Sequence, residues 1–162
     1  MGSNPTPSAM DAERLDELMT LALDQARLAP AHGDVPVGAV VANIETGKIV
    51  GARHNEREQT GDPTAHAEVL ALRDAAAAVG SWRLDGHALV VTLEPCPMCA
   101  GAALNSRIGL LAFGAADTKA GAAGSLYNLC VDPRLNHEIE VVPGVHEDIA
   151  GDLLTQFFSD RR

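Results

Sequence analysis

The stretch HALVVTLEPCPMCAGAAL, residues 87–104, joins a run of apolar and β-branched residues to a proline-flanked pair of cysteines. The run from His87 to Leu93 predicts a buried strand, and Pro95 is expected to open a short helix that continues to Leu104. Cys96 and Cys99 are three residues apart at the start of that helix. This spacing places both sulfur atoms on one side, where the helix dipole favours the thiolate form.

Helix and strand patterns alternate on both sides of this stretch. Apolar residues at three- and four-residue spacing predict further helices over Met10–Leu28, from Ala65 to Gly80 with Thr64 as the N-cap, and over Ile149–Phe158. Short apolar runs predict strands over Val37–Ala42, Lys48–Ala52, Ile108–Phe113 and around Val141 and Val142, with the first two forming a hairpin. We expect two ranges to be loops outside the core, Arg53–Pro63 and Gly114–Ser125. The alternation predicts a layered α/β domain with a partly parallel sheet.

Length and composition fit one domain, because the chain has 162 residues of which 46% are apolar. We expect the domain to cover residues 10–162 and residues 1–9 to be a disordered or tag-derived end. No apolar run is long enough to span a bilayer, and the start lacks the features of a signal peptide. An odd number of cysteines, three, predicts a reducing compartment and hence a cytoplasmic protein.

A second motif, His66-Ala67-Glu68, lies upstream of the cysteine pair at the start of its own predicted helix. An imidazole and two thiolates suit Zn²⁺ in tetrahedral geometry. Three protein ligands, His66, Cys96 and Cys99, would leave a fourth position for water, which is typical of catalytic zinc. Glu68 is placed to take a proton from that water. The combination matches the H-x-E…P-C-x-x-C signature of zinc-dependent nucleobase deaminases.

Plainer interpretations exist for the same residues. A Cys-x-x-Cys pair alone also occurs in thioredoxin-like redox proteins, although these need no upstream His-x-Glu. Cys130 is expected to pack as a small apolar residue, or else to add a fourth zinc ligand that would close the open position. Glu68 could be an ordinary surface residue of its helix. The remaining histidines to which we assign no function are His32, His54, His87 and His146.

The chain resembles the cytidine deaminase superfamily and, more narrowly, the bacterial tRNA-specific adenosine deaminases, over roughly Leu18–Phe158. The similarity is densest over Asp62–Glu68, Gly80–Leu84 and Thr92–Ala102. The zinc motif is shared by the whole superfamily, so narrower signals come from Val35–Val40 and from the loop Phe113–Leu126. The pair Asn136-His137 is also similar to one in the family.

The resemblance implies a three-layer α/β/α fold with a five-stranded mixed sheet and one Zn²⁺ per subunit. It implies hydrolytic deamination of adenosine to inosine at the wobble position of a tRNA anticodon, by a zinc-activated water and with Glu68 as the proton carrier. An arginine tRNA with an ACG anticodon is the expected partner, and the enzyme is expected to be a homodimer. The residues expected to contact substrate are Asn55, Pro36, Val37, Ala67 and Asp117.

Two other functions remain open. One is a deaminase of free purine or pyrimidine bases or nucleosides, and the other is a non-catalytic zinc-stabilised module. The net charge of −10 argues against tight nucleic-acid binding, which needs a basic surface. Five basic residues close in sequence to the motifs would form either a local positive rim or an ordinary solvated face: Arg53, Arg57, Arg83, Arg107 and Lys119.

Overall fold

A single mixed β-sheet forms the centre of the protein, whose computed structural model describes residues 10–161. Its strands are β1 (Gly38–Asn43), β2 (Ile49–His54), β3 (His87–Leu93), β4 (Leu110–Ala115) and β5 (Glu140–Val142). Their order across the sheet is β2-β1-β3-β4-β5. β1 pairs antiparallel with β2 and β3, whereas β4 pairs parallel with β3 and β5. The predicted five-stranded mixed sheet is confirmed; the predicted loose end, residues 1–9, lies outside the described residues.

Helices cover both faces of the sheet. They are α1 (Ala12–Ala26), α2 (Arg57–Thr60), α3 (Ala67–Val79), α4 (Pro97–Asn105) and α5 (Glu147–Asp160). Side chains alternate along a strand, so Val41 packs on the face covered by α3 and α4, and Val40 packs on the face covered by α1 and α5. The predicted three-layer α/β/α architecture is therefore confirmed.

Glycines allow two helices to approach the sheet closely. A Cβ atom at Gly38 in β1 would overlap the carbonyl oxygen of Ala22 in α1. One at Gly51 in β2 would lie 2.5 Å from the carbonyl oxygen of Ala71 in α3. The alanine-rich helices thus pack backbone to backbone against the sheet, which compensates for the scarcity of large aromatic side chains.

The two helices that carry the candidate ligands begin two residues later than predicted. α3 begins at Ala67 with His66 as its N-cap, and α4 begins at Pro97 with Cys96 as its N-cap. The prediction that Thr64 caps a helix from Ala65 is wrong, because the hydroxyl and the N–H of Thr64 both donate to Asp62 Oδ1 at 2.8 Å. Both residues at these N-caps have extended backbone conformations and are candidate metal ligands.

The two predicted loops contain structure that the sequence pattern did not indicate. Within residues 53–63 lies the four-residue helix α2, whose N–H groups at Glu58 and Gln59 donate to the buried carboxylate of Asp34. Within residues 114–125, Ala122 and Ala123 are buried in the core beside α4. Because the side chains there are small, the backbone of this loop packs directly against the core.

None of the helices within residues 10–161 is long and apolar enough to cross a membrane.

Candidate active site

The beginnings of α3 and α4 bring three candidate metal ligands together. His66 Nδ1 lies 3.4 Å from Cys99 Sγ and 3.6 Å from Cys96 Sγ. The ligand atoms of these residues all lie within 4.8 Å of one another, and no other such group of His, Cys, Asp and Glu occurs within residues 10–161. Cys130 is buried in the core and does not belong to the cluster.

The electrostatics of the cysteine pair favour a cation at this point. A hydrogen bond from Cys99 lowers the pKa of the Cys96 thiol to about 4. The same hydrogen bond, together with burial, raises the pKa of the Cys99 thiol. Two adjacent sulfurs thus share one negative charge. A divalent cation would allow both to be thiolates, and the N₁S₂ donor set suits zinc. The residues present therefore fit the metal that the sequence predicted.

Glu68 is the second residue of α3 and is only 4% exposed. Burial raises the pKa of its carboxyl to about 7. A carboxyl that titrates near neutral pH both accepts and donates protons readily, which is the property required of a general acid/base. Because it is buried, Glu68 is not an ordinary surface residue of α3.

His66, Cys96 and Glu68 line a cavity of about 210 Å³ that opens to the surface. Its walls come from four separate parts of the fold: the segment before β1, the segment after β2, the end of β3 and the loop after β4. Val37, Asn55 and Asp117 are among the predicted residues that line it. A few convergent polar groups in a cavity are typical of a ligand-binding site, and this cavity is smaller than those that take drug-sized ligands.

Comparisons with known proteins agree with this geometry. The sequence model of the MafB19-like deaminase family matches residues 13–162. The tRNA-specific adenosine deaminase of Bacillus subtilis (strain 168) is 47% identical over 148 residues, which cover 91% of both chains. The chain belongs to the tRNA-specific adenosine deaminase family. The resemblance that the sequence motifs indicated is thereby confirmed, and the protein is a hydrolytic deaminase.

Two solved structures share the fold of the deaminase. One comes from a study of A-to-I editing by tRNA:A34 deaminases at the wobble position of transfer RNA; it is 39% identical, with a TM-score of 0.81, and the match covers 85% of this chain and 99% of that one. The other is a guanine deaminase from Nitrosomonas europaea, 28% identical with a TM-score of 0.74, and the match covers 89% and 84%. Both structures are described as those of deaminases.

Asn55 ties two walls of the deaminase cavity to each other. Its Oδ1 accepts a hydrogen bond of 2.8 Å from the N–H of Ala67, and its Nδ2 donates to the carbonyl of Val35 at 3.1 Å. The Ala67 N–H, expected to help hold a base, thus already has a partner in the side chain of Asn55. The amide retains one N–H and one lone pair beyond these two bonds.

Pro36 was expected to be a wall of the same cavity and is not. It lines a separate groove with Leu153 and Phe157 of α5, whereas Val35 and Val37 face the cavity. The reason is a tight turn centred on Pro36, in which the N–H of Val37 donates to the carbonyl of Val35 at 2.8 Å, so the side chain of Pro36 lies on the opposite side from those of its two neighbours.

Sequence reasoning missed three residues that line the cavity, Leu93, Glu94 and Ala120, whereas Arg57 was expected near the site and Val35 belongs to the segment Val35–Val40 that was singled out. Glu94 and Ala120 have no local signal, because they reach the cavity through contacts between β3 and the distant loop after β4.

The five basic residues proposed for a positive rim separate into two groups. Arg53 and Arg83 are paired with carboxylates, and Arg107 donates to a backbone carbonyl. Arg57 lines the cavity and Lys119 lines the groove beside it, and within residues 10–161 neither forms an ion pair. Of the five, Arg57 and Lys119 are therefore the two that line the cavity or its adjoining groove without a carboxylate partner.

Proposed function

We propose that the deaminase converts adenosine to inosine at the wobble position of a tRNA anticodon, as a cytoplasmic homodimer. One observation carries the proposal: a chain similar over 91% of its length to a tRNA-specific adenosine deaminase has a cavity that ends on a His/Cys/Cys cluster and a buried glutamate. An anticodon loop is a suitable substrate because its unpaired bases cost little free energy to unstack. We expect an arginine tRNA with an ACG anticodon to be the substrate.

His66, Cys96 and Cys99 would hold one zinc ion per subunit. When bound, zinc lowers the pKa of a coordinated water from its bulk value to about 7. The two helix N-termini that carry these ligands add a partial positive charge, which helps to keep both sulfurs ionised.

Glu68 moves the protons of the reaction. It accepts a proton from the attacking water and delivers it to N1 of adenine, which makes C6 more electrophilic. The water oxygen bonds to C6 and the bond from C6 to the amino group breaks. Glu68 then carries the second proton of the water to the departing amine. Adenosine and water thus give inosine and ammonia, and Glu68 ends in its starting state.

Walls of the cavity are proposed to hold the base. Asn55 would bind the base with the N–H and lone pair that its two hydrogen bonds leave over, Val37 would supply an apolar wall, and the backbone at Ala67 would help to hold the base. Asp117, on the loop after β4, would face the nucleotides beside the target adenosine.

The test is to incubate the purified protein with an arginine tRNA bearing an ACG anticodon and to sequence its cDNA. Inosine pairs like guanosine, so we expect an adenosine-to-guanosine change confined to the wobble position. An unchanged cDNA sequence, obtained with protein that is confirmed to contain zinc, would overturn the tRNA proposal.

A deaminase of free bases or nucleosides is the second candidate, and the similarity to a guanine deaminase at a TM-score of 0.74 favours it. Ammonia release separates the two. The second candidate predicts faster release from guanine, adenine or adenosine than from tRNA at equal concentration, and our proposal predicts the reverse.

A further inference from the structure

Glu94 is a buried carboxylate in the turn between β3 and the first cysteine ligand. It is only 2% exposed and precedes Cys96 by two residues. A buried carboxylate is costly unless hydrogen bonds compensate the lost water. Within residues 10–161 no arginine, lysine or histidine lies in ion-pair contact with it, so the compensation comes from elsewhere.

All of its hydrogen-bond donors come from the loop after β4. Oε1 accepts from the N–H of Asp117 at 3.0 Å and from the hydroxyl of Ser125. Oε2 accepts from the N–H of Ala123 at 3.0 Å and from the N–H of Ser125 at 2.9 Å. One side chain thus binds both ends of the 117–125 loop, which we define by these residues.

The 117–125 loop packs directly on this carboxylate. A Cβ atom at Gly121 would overlap the carboxyl group of Glu94, so only glycine allows the loop to lie so close. The N–H of Ala122 also donates to the carbonyl of Pro95 at 2.8 Å. The loop is therefore fastened to the turn that carries Cys96.

The same loop supplies a wall of the cavity. Asp117 and Ala120 line the cavity, and Lys119 lines the adjoining groove. The carboxylate of Asp117 accepts from the N–H groups of Lys119 and Ala120, which gives this part of the loop a fixed turn. The position of Lys119 relative to Glu68 thus depends on the hydrogen bonds between Glu94 and the 117–125 loop.

We propose that Glu94 is a positioning residue that holds the 117–125 loop against the metal-binding turn, so that Asp117 and Lys119 are preorganised for the nucleotides flanking the target adenosine. This inference rests on the proposed tRNA function. It assigns the carboxylate a part in substrate binding rather than in proton transfer.

The most informative variant is Glu94→Gln, which keeps the size and removes the charge. An amide offers one acceptor oxygen, and its NH₂ group would face N–H donors of the loop without an acceptor. We expect the backbone amides of residues 117, 123 and 125 to exchange with deuterium faster than in the wild type, while those of β1 and β3 stay protected. Zinc content per chain should be unchanged.

Kinetics on tRNA give the second readout. Because hydrogen bonds to a charged group are lost, KM for the tRNA should rise about tenfold, with kcat little changed. A merely structural loss would instead lower the active fraction, and hence kcat, at constant KM. Ser125→Ala removes a single donor and keeps the carboxylate, so it should give the same changes at smaller size even if Glu94→Gln fails to fold.

Asp34→Asn is the matched control, because Asp34 is an equally buried carboxylate that accepts backbone N–H groups from α2 instead. It should leave exchange in the 117–125 loop unchanged. Unaltered exchange in this loop, or faster exchange with KM unaltered, would overturn the inference. A wild-type protein that edits no tRNA would count against the proposed function instead, and the exchange result would still decide whether Glu94 holds the loop.

Discussion

Two residues determine the chemistry at the first turn of α3: Glu68 supplies a carboxyl group, and Asn55 holds the backbone beside it. Glu68 is buried although it is charged in water, and its N-terminal neighbour Ala67 donates its N–H to Asn55. The carboxyl of Glu68 therefore lies beside Cys99, with which it forms a hydrogen bond, and the backbone next to it is held by a residue of the segment after β2. Such support from neighbouring groups keeps a reactive side chain within the small tolerances that catalysis requires.

The first residue-scale prediction concerns Asn55. Asn55→Ala leaves the Ala67 N–H and the Val35 carbonyl without partners in a buried region. We expect the free energy of unfolding to fall by about 1–3 kcal/mol, measured by urea denaturation. The exposed Asn136→Ala is the control and should change it by less than about 0.5 kcal/mol. Equal stability of the two variants would contradict the role of Asn55 described above.

At this scale the sequence predicted the His66, Cys96 and Cys99 cluster correctly, because ligand spacing at helix beginnings is a local signal. It did not predict Glu94, whose partners are backbone N–H groups 23 to 31 residues away and have no side-chain signature. Pro36 was misplaced because it is the centre of a tight turn between Val35 and Val37. The roles of Asn55, Ala67 and Asp117 toward substrate remain predictions.

At the scale of elements, the fold depends on close approach of helices to the sheet. The strands and the four long helices followed from periodicity to within a few residues. α2 could not be predicted, because a four-residue helix has no periodicity and this one is capped by Asp34 from before β1. The late starts of α3 and α4 were missed because their N-cap residues, His66 and Cys96, are not among the Ser, Thr, Asp and Asn that usually mark the start of a helix.

The prediction at this scale is for Gly38. Gly38→Ala places a methyl group on the carbonyl oxygen of Ala22, so α1 must move away from β1. We expect a loss of about 1–3 kcal/mol in the free energy of unfolding, as is usual for overpacked sites. Gly101→Ala in α4, where an added Cβ meets nothing within 4 Å, is the matched control and should not destabilise the protein. A destabilised Gly101→Ala with an unaffected Gly38→Ala would refute this description of the packing.

At the scale of the whole molecule, the net charge of −10 has to be reconciled with a polyanionic substrate. Two of the five basic residues near the motifs, Arg53 and Arg83, are neutralised by carboxylates, and Arg57 and Lys119 are the two that line the cavity or its adjoining groove without a carboxylate partner. Binding that depends on so few phosphate contacts should be modest in strength, and its salt dependence should have the shallow slope that a small number of contacts gives.

The corresponding prediction compares variants of the two unpaired basic residues with a variant of a paired one. Arg57→Gln or Lys119→Gln should weaken tRNA binding and reduce the slope of log affinity against log salt by about one, because each removes one counterion-releasing contact. Arg83→Gln removes a charge already paired with Asp85 and should alter neither quantity appreciably. Affinities that are the same at low and high salt for the wild type would show that the positive rim plays no part.

The most direct test of the site measures zinc content and wobble-position inosine on the same samples of wild type and Glu68→Gln. Our account predicts one zinc per chain in both proteins, with inosine formed by the wild type and a loss of at least about a hundredfold in the variant. A variant that still edits tRNA, or one that loses its zinc together with its activity, would contradict the assignment of Glu68 as the proton carrier beside a three-ligand metal site.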